Sequence, residues 1–343
     1  MHMLDEIMDQ PRVLRDCGTL NIDKIRAITQ EAIRNNIRNV VIAARGTSDH
    51  AAVYAKYCIE ILTGKPVSLA APSVITLYGS RMDYKNALVI GVTQSGMAED
   101  VREVLKCANG QGALTVAITN SENSPIAKEA QYHLYCNAGP EKSVAATKTF
   151  MSELFILEVL AASWNGEDSL IRSLRNMPDA LERQLEKADE VIRAAGRYKF
   201  AEKCIILARG LLYPVALEAA LKIQETTYMG AKAYAISDFW HGPLAMIEKN
   251  TPVILYASSD AAKKDALDIA RQLRKMDADI LMVTDSTDLA EYANETVFVP
   301  SAEPLVEPFH HVAVAQLFAY GLATQKGLSP DEPRSLKKIT VTK

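Results

Sequence analysis

The clearest indication of the fold is the stretch Val40-Val41-Ile42-Ala43-Ala44-Arg45-Gly46. A similar stretch, Ile205-Ile206-Leu207-Ala208-Arg209-Gly210, occurs in the second half of the chain. Each stretch is a short apolar run followed by a polar turn, which is typical of a buried parallel strand. The next pair of apolar runs ends just before Thr93 and Ser258, which are as far apart in the sequence, to within one residue, as the first two stretches are. A third pair of apolar runs has the same separation. Three matching strand ends indicate an internal duplication, so we expect two similar domains.

Short apolar runs alternate with longer amphipathic stretches, a pattern typical of parallel α/β structure. We predict an α/β fold of two tandem domains, each a three-layer α/β/α sandwich with a mostly parallel sheet. The expected boundaries are 1–165 for N-terminal helices and the first domain, 166–328 for the second domain and 329–343 for a tail. One or two long helices, without a strand, are expected over 147–195, and shorter helices over 51–62 and 99–108. The predicted strands span residues 40–44, 87–92, 114–118, 205–208, 253–257 and 280–283.

Composition argues for a protein of the cytoplasm. The 343 residues include 38 basic and 42 acidic side chains, which argues against nucleic acid or a membrane surface as the main partner. The acidic start, Met1 to Glu6, lacks an apolar core, so we expect no signal peptide, and no apolar run approaches the ~18–20 residues that span a bilayer. The 5 cysteines are widely spaced without a Cys-x-x-Cys pair, which favours a reducing compartment over a disulfide framework or a zinc site.

Two loops of small polar residues follow predicted strands of the first half, at Arg45 to Asp49 and at Thr93 to Gly96. Hydroxyl and backbone N–H groups at a helix N-terminus favour an anion, because unpaired donors and the helix dipole both attract negative charge. Neither loop has the glycine pattern of a nucleoside triphosphate or dinucleotide site, so a small phosphorylated metabolite is the better expectation. An ordinary helix cap is the alternative for either loop alone.

The stretch from Pro214 to Glu225 predicts a helix that carries Glu218, Lys222 and Glu225 on one face. An exposed intrahelical ion pair, worth about 0.3–0.5 kcal/mol, is the alternative explanation of this spacing. The helix begins just beyond a predicted strand end, where active sites of such sheets lie. His241 follows in an irregular loop, and together with the carboxylates it indicates acid–base chemistry.

The chain resembles the isomerase half of the glucosamine-6-phosphate synthases, which consists of two sugar-isomerase (SIS) domains. The resemblance covers nearly the whole chain, and the ordered set of motifs carries it rather than any one of them. The matching segments are Glu6 to Pro11, Gly46 to Ser48, Thr93 to Gly96, Val144 to Lys148, Ala216 to Glu225, His241 to Leu244 and Pro333 to Val341.

The resemblance implies a substrate-binding set and a catalytic set of residues. Glu225 resembles the base that moves a proton between C1 and C2 of the open sugar, with Glu218 and Lys222 around it. His241 resembles the ring-opening histidine, which in this family comes from the neighbouring subunit, and Lys338 falls where the family forms an imine with a keto-sugar. The residues implied in substrate binding are Gly46, Thr47, Ser48, Thr93, Gln94, Ser95, Val144 and Lys337.

The chain also departs from the family pattern. The phosphate loop continues as Met97-Ala98 where the synthases carry Glu-Thr, so one phosphate hydroxyl is missing at Ala98, and Ala146 replaces a serine. No glutaminase half precedes the motifs, so we expect that this chain does not draw nitrogen from glutamine by itself. Neither a metal nor another cofactor is expected, and the adjacent pair His310-His311 is expected to be structural or exposed, because neighbouring residues do not present two ligands on one helix face.

The leading hypothesis is an amino-sugar-phosphate isomerase/deaminase that interconverts glucosamine 6-phosphate with fructose 6-phosphate and ammonia. The alternative is a deglycase that cleaves a 6-phosphorylated fructosamine, such as fructoselysine 6-phosphate, to glucose 6-phosphate and the free amine. A third hypothesis is a sugar-phosphate sensor without catalysis. The presence of Glu225, His241 and Lys338 argues against it. The family resemblance also implies a homodimer with shared active sites.

Overall fold

In a computed structural model that describes residues 1–336 and Lys338, the chain divides into two compact units. The amino-terminal unit comprises Asp9–Glu141, Ala146–Pro178 and Lys338, and the carboxy-terminal unit comprises Met1–Met8, Lys142–Ala145 and Asp179–Leu336. Each unit is assembled from segments that are distant in the sequence. The domain boundaries expected at residues 165 and 328 stay predictions.

Each unit contains one parallel sheet. The strands of the amino-terminal unit are β1 (Asn39–Ala43), β2 (Val67–Leu69), β3 (Ala87–Val92), β4 (Leu114–Thr119) and β5 (Tyr132–Tyr135). The strands of the carboxy-terminal unit are β6 (Lys203–Ala208), β7 (Gly230–Ala235), β8 (Pro252–Tyr256), β9 (Asp279–Thr284) and β10 (Glu295–Phe298).

Helices connect the strands and cover both sheets. They are α1 (His2–Met8), α2 (Gln10–Arg34), α3 (Thr47–Thr63), α4 (Ser73–Thr76), α5 (Glu99–Asn109), α6 (Pro125–Glu129), α7 (Lys148–Asn165), α8 (Asp168–Leu185), α9 (Ala188–Ala195), α10 (Tyr213–Thr227), α11 (Ile236–Phe239), α12 (Lys263–Lys275), α13 (Thr287–Ala290) and α14 (Glu307–Gln325). Short 3₁₀ turns lie at Gly196–Tyr198, Gly210–Leu212 and Pro243–Met246. In this described part of the chain, no helix combines the length and the apolar character needed to cross a bilayer.

The two sheets have the same strand order, which confirms the duplication predicted from the sequence. The first runs β2-β1-β3-β4-β5 and the second β7-β6-β8-β9-β10, and every neighbouring pair is parallel. The connection after β1 leads towards one edge of the first sheet and the connection after β3 towards the other edge, so the strand order reverses between them. The same reversal lies between β6 and β8 of the second sheet. In doubly wound sheets, ligands bind beyond the carboxyl ends of strands at this reversal.

Burial in the core of the amino-terminal unit explains why its central strands could be predicted from the sequence. Every residue of β3 and β4 is buried, and both strands are mainly apolar, with two threonines as the polar residues of β4. Gly91 lies where an added Cβ would come within 2.8 Å of a methyl carbon of Leu105, so its lack of a side chain lets α5 pack closely on β3. In the same unit, α7 packs against α2 and α3 and is buried almost throughout.

In the carboxy-terminal unit, α10 packs against α14, whose residues are buried from Glu307 to Ala323. His310 and His311 lie within this buried stretch. Burial lowers the pKa of His310 to about 4 and that of His311 to about 3, so both rings are neutral at physiological pH. The His310 ring bonds Gln184, and the His311 ring packs edge-on against Tyr256. The structural interpretation of this pair is confirmed, and the exposed one is wrong.

Two expectations about elements need correction. The region 147–195 contains α7, α8 and α9, three helices rather than one or two, because Gly166 and the turn before Ala188 interrupt the helical path. The sequence reading also missed β2, β5, β7 and β10, which are the four edge strands of the two sheets. These edge strands are partly exposed and contain polar residues, so they lack the apolar run that marks a central strand.

Candidate active site

The first polar loop lies where the sheet order predicts a ligand site, between the carboxyl ends of β1 and β3. Gly46 precedes α3 with φ +55°, a backbone conformation that glycine adopts without strain. Thr47 begins the helix, and Ser48 is buried within its first turn. The first turn of α3 therefore presents hydroxyls and backbone N–H groups at this edge of the sheet.

The second loop follows β3 and is shaped by Gly96. Thr93 is buried, Gln94 and Ser95 are half-buried, and the Thr93 N–H donates to the carbonyl of Ile118 in β4 at 3.1 Å. Gly96 has φ +68°, and an added Cβ would lie only 2.1 Å from Ser124 Oγ, so no other residue fits without displacement. The close approach of Ser124 therefore favours glycine at this position of the loop.

The helix that follows the second loop begins without a side-chain cap. Ala98 occupies the N-cap position of α5, and no side-chain hydrogen bond caps this end. A threonine hydroxyl at this position would supply one more polar group. The substitution noted in the sequence therefore leaves backbone N–H groups as the donors of this helix end.

A buried carboxylate that sequence reasoning missed lies against the first loop. Ser48 Oγ donates to Glu153 Oε1 at 2.9 Å, and the Glu153 residue is 1% exposed. Glu153 belongs to α7, where it and Glu158 are carboxylates in an otherwise apolar and buried helix. Charged residues in so apolar a run are the signal that points to them.

Glu218, Lys222 and Glu225 share one face of α10, as predicted. This face is largely buried, so the alternative of an exposed ion pair is wrong. Lys222 Nζ lies 3.3 Å from Glu218 Oε1 and 2.6 Å from Glu225 Oε2. The side chains of Lys222 and Glu218 are 0% exposed, whereas that of Glu225 is 23% exposed. Of the three groups, only the Glu225 carboxylate reaches the surface of its unit.

The charge state of Lys222 follows from these two carboxylates. Burial alone would lower the pKa of Lys222, but the negative charges of Glu218 and Glu225 raise it above its ordinary value. Lys222 therefore stays an ammonium at physiological pH. It neutralises one carboxylate that has no access to water and holds a second one, Glu225, in place.

The remaining candidates of the carboxy-terminal unit lie in loops. His241 is exposed in the turn after α11, and its N–H donates to the carbonyl of Asp238 at 3.0 Å. Val144 is half-buried, and its N–H donates to the carbonyl of Asp331 at 3.2 Å. The neighbouring Ser143 donates its N–H and its hydroxyl to the buried Glu6 carboxylate, which fixes the backbone of this loop.

Lys338 has a defined partner within the amino-terminal unit. Its Nζ donates to Glu141 Oε2 at 2.8 Å. Glu141 also accepts the backbone N–H groups of Thr147 and Thr149, at 2.9 and 3.2 Å, and the Thr149 hydroxyl at 2.8 Å. Burial raises the pKa of Glu141, but the charge and hydrogen bond of Lys338 and the two N–H groups lower it more, to a value below the ordinary one. Lys337, the other tail residue expected at the site, lies outside the described residues.

The structure thus groups the candidates within each unit. The loop residues Gly46 to Ser48 and Thr93 to Ser95, together with Lys338, belong to the amino-terminal unit. Glu218, Lys222 and Glu225 form one bonded cluster in the carboxy-terminal unit, to which Val144 and His241 also belong. Their functional roles stay predictions.

Two duplicated parallel sheets, each flanked by helices and followed by loops at the reversal of strand order, define a tandem doubly wound α/β protein. The chain belongs to the SIS domain family, whose model matches residues 35–163 and 199–326, one segment for each sheet.

Known proteins resemble nearly all of this chain. It is 36% identical to the isomerizing glutamine–fructose-6-phosphate aminotransferase of Aquifex aeolicus, over 99% of this chain and 57% of that protein. Identity with the protein of the same name from Halobacterium salinarum is 34%, over 99% of this chain and 59% of that protein. The solved C-terminal domain of glucosamine-fructose-6-phosphate aminotransferase from Francisella tularensis matches with a TM-score of 0.88 and 25% identity, covering 97% of this chain and 98% of that one. The chain therefore spans less than two thirds of the full-length relatives but nearly all of that domain.

Proposed function

We propose that the protein is an amino-sugar-phosphate isomerase/deaminase that interconverts glucosamine 6-phosphate with fructose 6-phosphate and ammonia. The observation that carries this proposal is Glu225, a partly exposed carboxylate held 2.6 Å from the fully buried ammonium of Lys222. Moving a proton between two adjacent sugar carbons requires one base that is positioned to take the proton and return it. The names of the relatives, which are isomerizing aminotransferases of fructose 6-phosphate, support the choice of substrate.

The two polar loops supply the phosphate-binding groups in this proposal. Ser48 and the stretch from Thr93 to Ser95 offer hydroxyl and amide groups, and the first turns of α3 and α5 add backbone N–H groups. Gly46 and Thr47 shape the start of α3, Val144 contacts the sugar, and Lys337 also contributes to binding. Hydroxyl and N–H donors suit a phosphate because its oxygens accept several hydrogen bonds.

The catalytic steps are divided among three groups. His241 opens the sugar ring, since imidazole gives and takes a proton near neutral pH. Glu225 then carries a proton between C1 and C2, and Lys222 holds its carboxylate in place. Lys338 forms an imine with the keto-sugar through its amine. The proposal includes a cytoplasmic homodimer in which His241 serves the partner subunit, with neither nucleic acid nor a membrane as a partner.

Replacement of the Glu225 carboxylate by an amide tests the proposal. Glu225→Gln should lower ammonia release from glucosamine 6-phosphate by about 10²–10⁴-fold and leave sugar-phosphate binding intact, because only the base is lost. Glu248→Gln, an exposed glutamate of the same unit, is the matched control and should keep full activity. Full activity of Glu225→Gln would contradict the assignment, and binding without any turnover by the unmodified protein would favour the sensor.

A deglycase is the second candidate, and the uncapped start of α5 at Ala98 favours it, because the phosphate loop departs there from the synthase pattern. A deglycase releases a free amine from fructoselysine 6-phosphate and needs Glu225 and His241 but not Lys338. Release of lysine at a higher kcat/KM than release of ammonia, unchanged in Lys338→Ala, would favour this reaction.

A further inference from the structure

The ion pair between Lys338 and Glu141 joins two residues that lie 197 positions apart in the chain. The proposed function uses the amine of Lys338 but assigns no role to its partner. Glu141 lies within hydrogen-bond distance of the nitrogen that would react. Its side chain is 0% exposed and that of Lys338 is 23% exposed, so the carboxylate is fixed inside the unit and the amine lies at its surface.

We propose that Glu141 is the catalytic acid–base partner of Lys338, taking a proton from its ammonium before imine formation and returning that proton to the departing hydroxyl. This inference rests on the proposed function, because it presupposes the imine at Lys338. It adds a catalytic residue that lies outside both polar loops and outside the cluster on α10.

The surroundings of Glu141 suit this role. Its Oε1 accepts the N–H groups of Thr147 and Thr149, and its Oε2 accepts the Thr149 hydroxyl and the Lys338 ammonium. Three of these donors belong to the start of α7, so the carboxylate keeps its position when the amine moves away. A preorganised carboxylate is effective because it needs no rearrangement when charge develops next to it.

The proton balance of the step closes without a further reactant. The Lys338 ammonium transfers one proton to the Glu141 carboxylate, and the neutral amine attacks the sugar carbonyl carbon to form a carbinolamine. A new C–N bond forms at this point, and the carbonyl oxygen becomes a hydroxyl by taking the second nitrogen proton. Glu141 then protonates this hydroxyl, the C–O bond breaks, and water leaves together with the electron pair of that bond. The products are a protonated imine, one water molecule and the Glu141 carboxylate.

The rate of cyanoborohydride trapping of fructose 6-phosphate on Lys338 tests this role in the full chain across pH 3 to 9, a range that extends below the ordinary pKa of a glutamate. Glu141→Gln should slow adduct formation by about 10²-fold, because the amide neither takes nor returns the proton. Glu141→Asp, which keeps a carboxylate, should retain more of the rate than Glu141→Gln. Affinity for glucitol 6-phosphate, which has no carbonyl carbon and forms no imine, should stay unchanged. Glu158→Gln is the matched control, since Glu158 is buried in the same unit and bonds Tyr54 instead.

Thr149→Val provides a second variant that keeps the carboxylate. Loss of the hydroxyl bond to Oε2 should raise the pKa of Glu141, so the acidic limb of the trapping profile should move to higher pH. A purely structural role of Glu141 would leave this limb in place.

The outcomes separate this inference from the proposed function. Trapping at the rate and pH profile of the unmodified protein in both Glu141→Gln and Thr149→Val would overturn the role of Glu141 and leave the imine intact. Absence of any Lys338 adduct in the unmodified protein would overturn the imine step itself and, with it, this inference. Slower adduct formation in Glu141→Gln, together with an acidic limb shifted to higher pH in Thr149→Val, would support the role of Glu141.

Discussion

Lys222 Nζ lies 3.3 Å from Glu218 Oε1 inside α10, and neither side chain has any exposed surface. Charged groups in such a position have lost their hydration, so each depends on the other for compensation. The pair supports the more exposed Glu225, to which Lys222 is also bonded. We therefore expect the Lys222–Glu218 pair to affect the stability of the fold.

Replacement of Lys222 by methionine should destabilise the protein by about 3–5 kcal/mol, because it leaves the Glu218 carboxylate buried without a countercharge. The double variant Lys222→Met with Glu218→Gln should recover part of this loss, since the second change removes the uncompensated charge. Urea denaturation of both variants measures the difference. Equal stabilities of the single and double variants would contradict the coupling.

Gly96→Ala should cost more stability than Gly139→Ala, although both glycines have a positive φ. Gly139 has φ +64° with no atom within 4 Å of an added Cβ, so only backbone strain of about 1–2 kcal/mol is expected. At Gly96 the added Cβ also meets Ser124 Oγ at 2.1 Å, which should add about 1–3 kcal/mol. Thermal unfolding of the two variants compares them, and equal losses would show that the loop accommodates a side chain.

The Glu307 carboxyl should make stability fall as pH rises towards neutrality. Burial, together with the nearby negative charges of Asp285 and Asp260, raises the pKa of Glu307 to about 7. Between about pH 4.5 and 7 the folded protein therefore keeps a proton that the unfolded chain has lost, so this group destabilises the fold increasingly as pH rises.

Glu307→Gln, which resembles the protonated acid, should remove this contribution. The free energy of unfolding of the variant, minus that of the unmodified protein, should therefore increase by about 2.5 kcal/mol from pH 5 to pH 8. Glu303→Gln, a change at an exposed neighbouring glutamate, should give no such trend. A difference between Glu307→Gln and the unmodified protein that is constant over this pH range would exclude the effect.

Mixed dimers should regain activity if His241 serves the partner subunit. In a mixture of inactive His241→Ala and inactive Glu225→Gln subunits, half of the dimers are mixed, and one of their two sites holds both intact groups. About a quarter of the full activity should therefore return after random exchange. Ammonia release measured after verified subunit exchange tests this, and absence of recovery would place His241 and Glu225 in the same subunit.

The central part of each sheet was predictable from the sequence, because buried parallel strands are apolar on both faces and leave a continuous run. All six predicted strands, including 87–92 and 205–208, correspond to central strands of the two sheets. The edge strands β2, β5, β7 and β10 were not predictable in this way, because one side of each is open to solvent and polar residues interrupt the run.

For the candidate site, local sequence patterns were enough to predict which residues share an element. Helical periodicity places Glu218, Lys222 and Glu225 on one face, because residues three or four apart are neighbours on any helix. Three further facts became known from the folded chain. This face of α10 is buried, Ser48 bonds Glu153, which lies 105 positions later in the sequence, and Lys338 donates a hydrogen bond to Glu141. Burial and long-range pairing depend on which elements pack together, and the spacing of residues within one element carries no information about that.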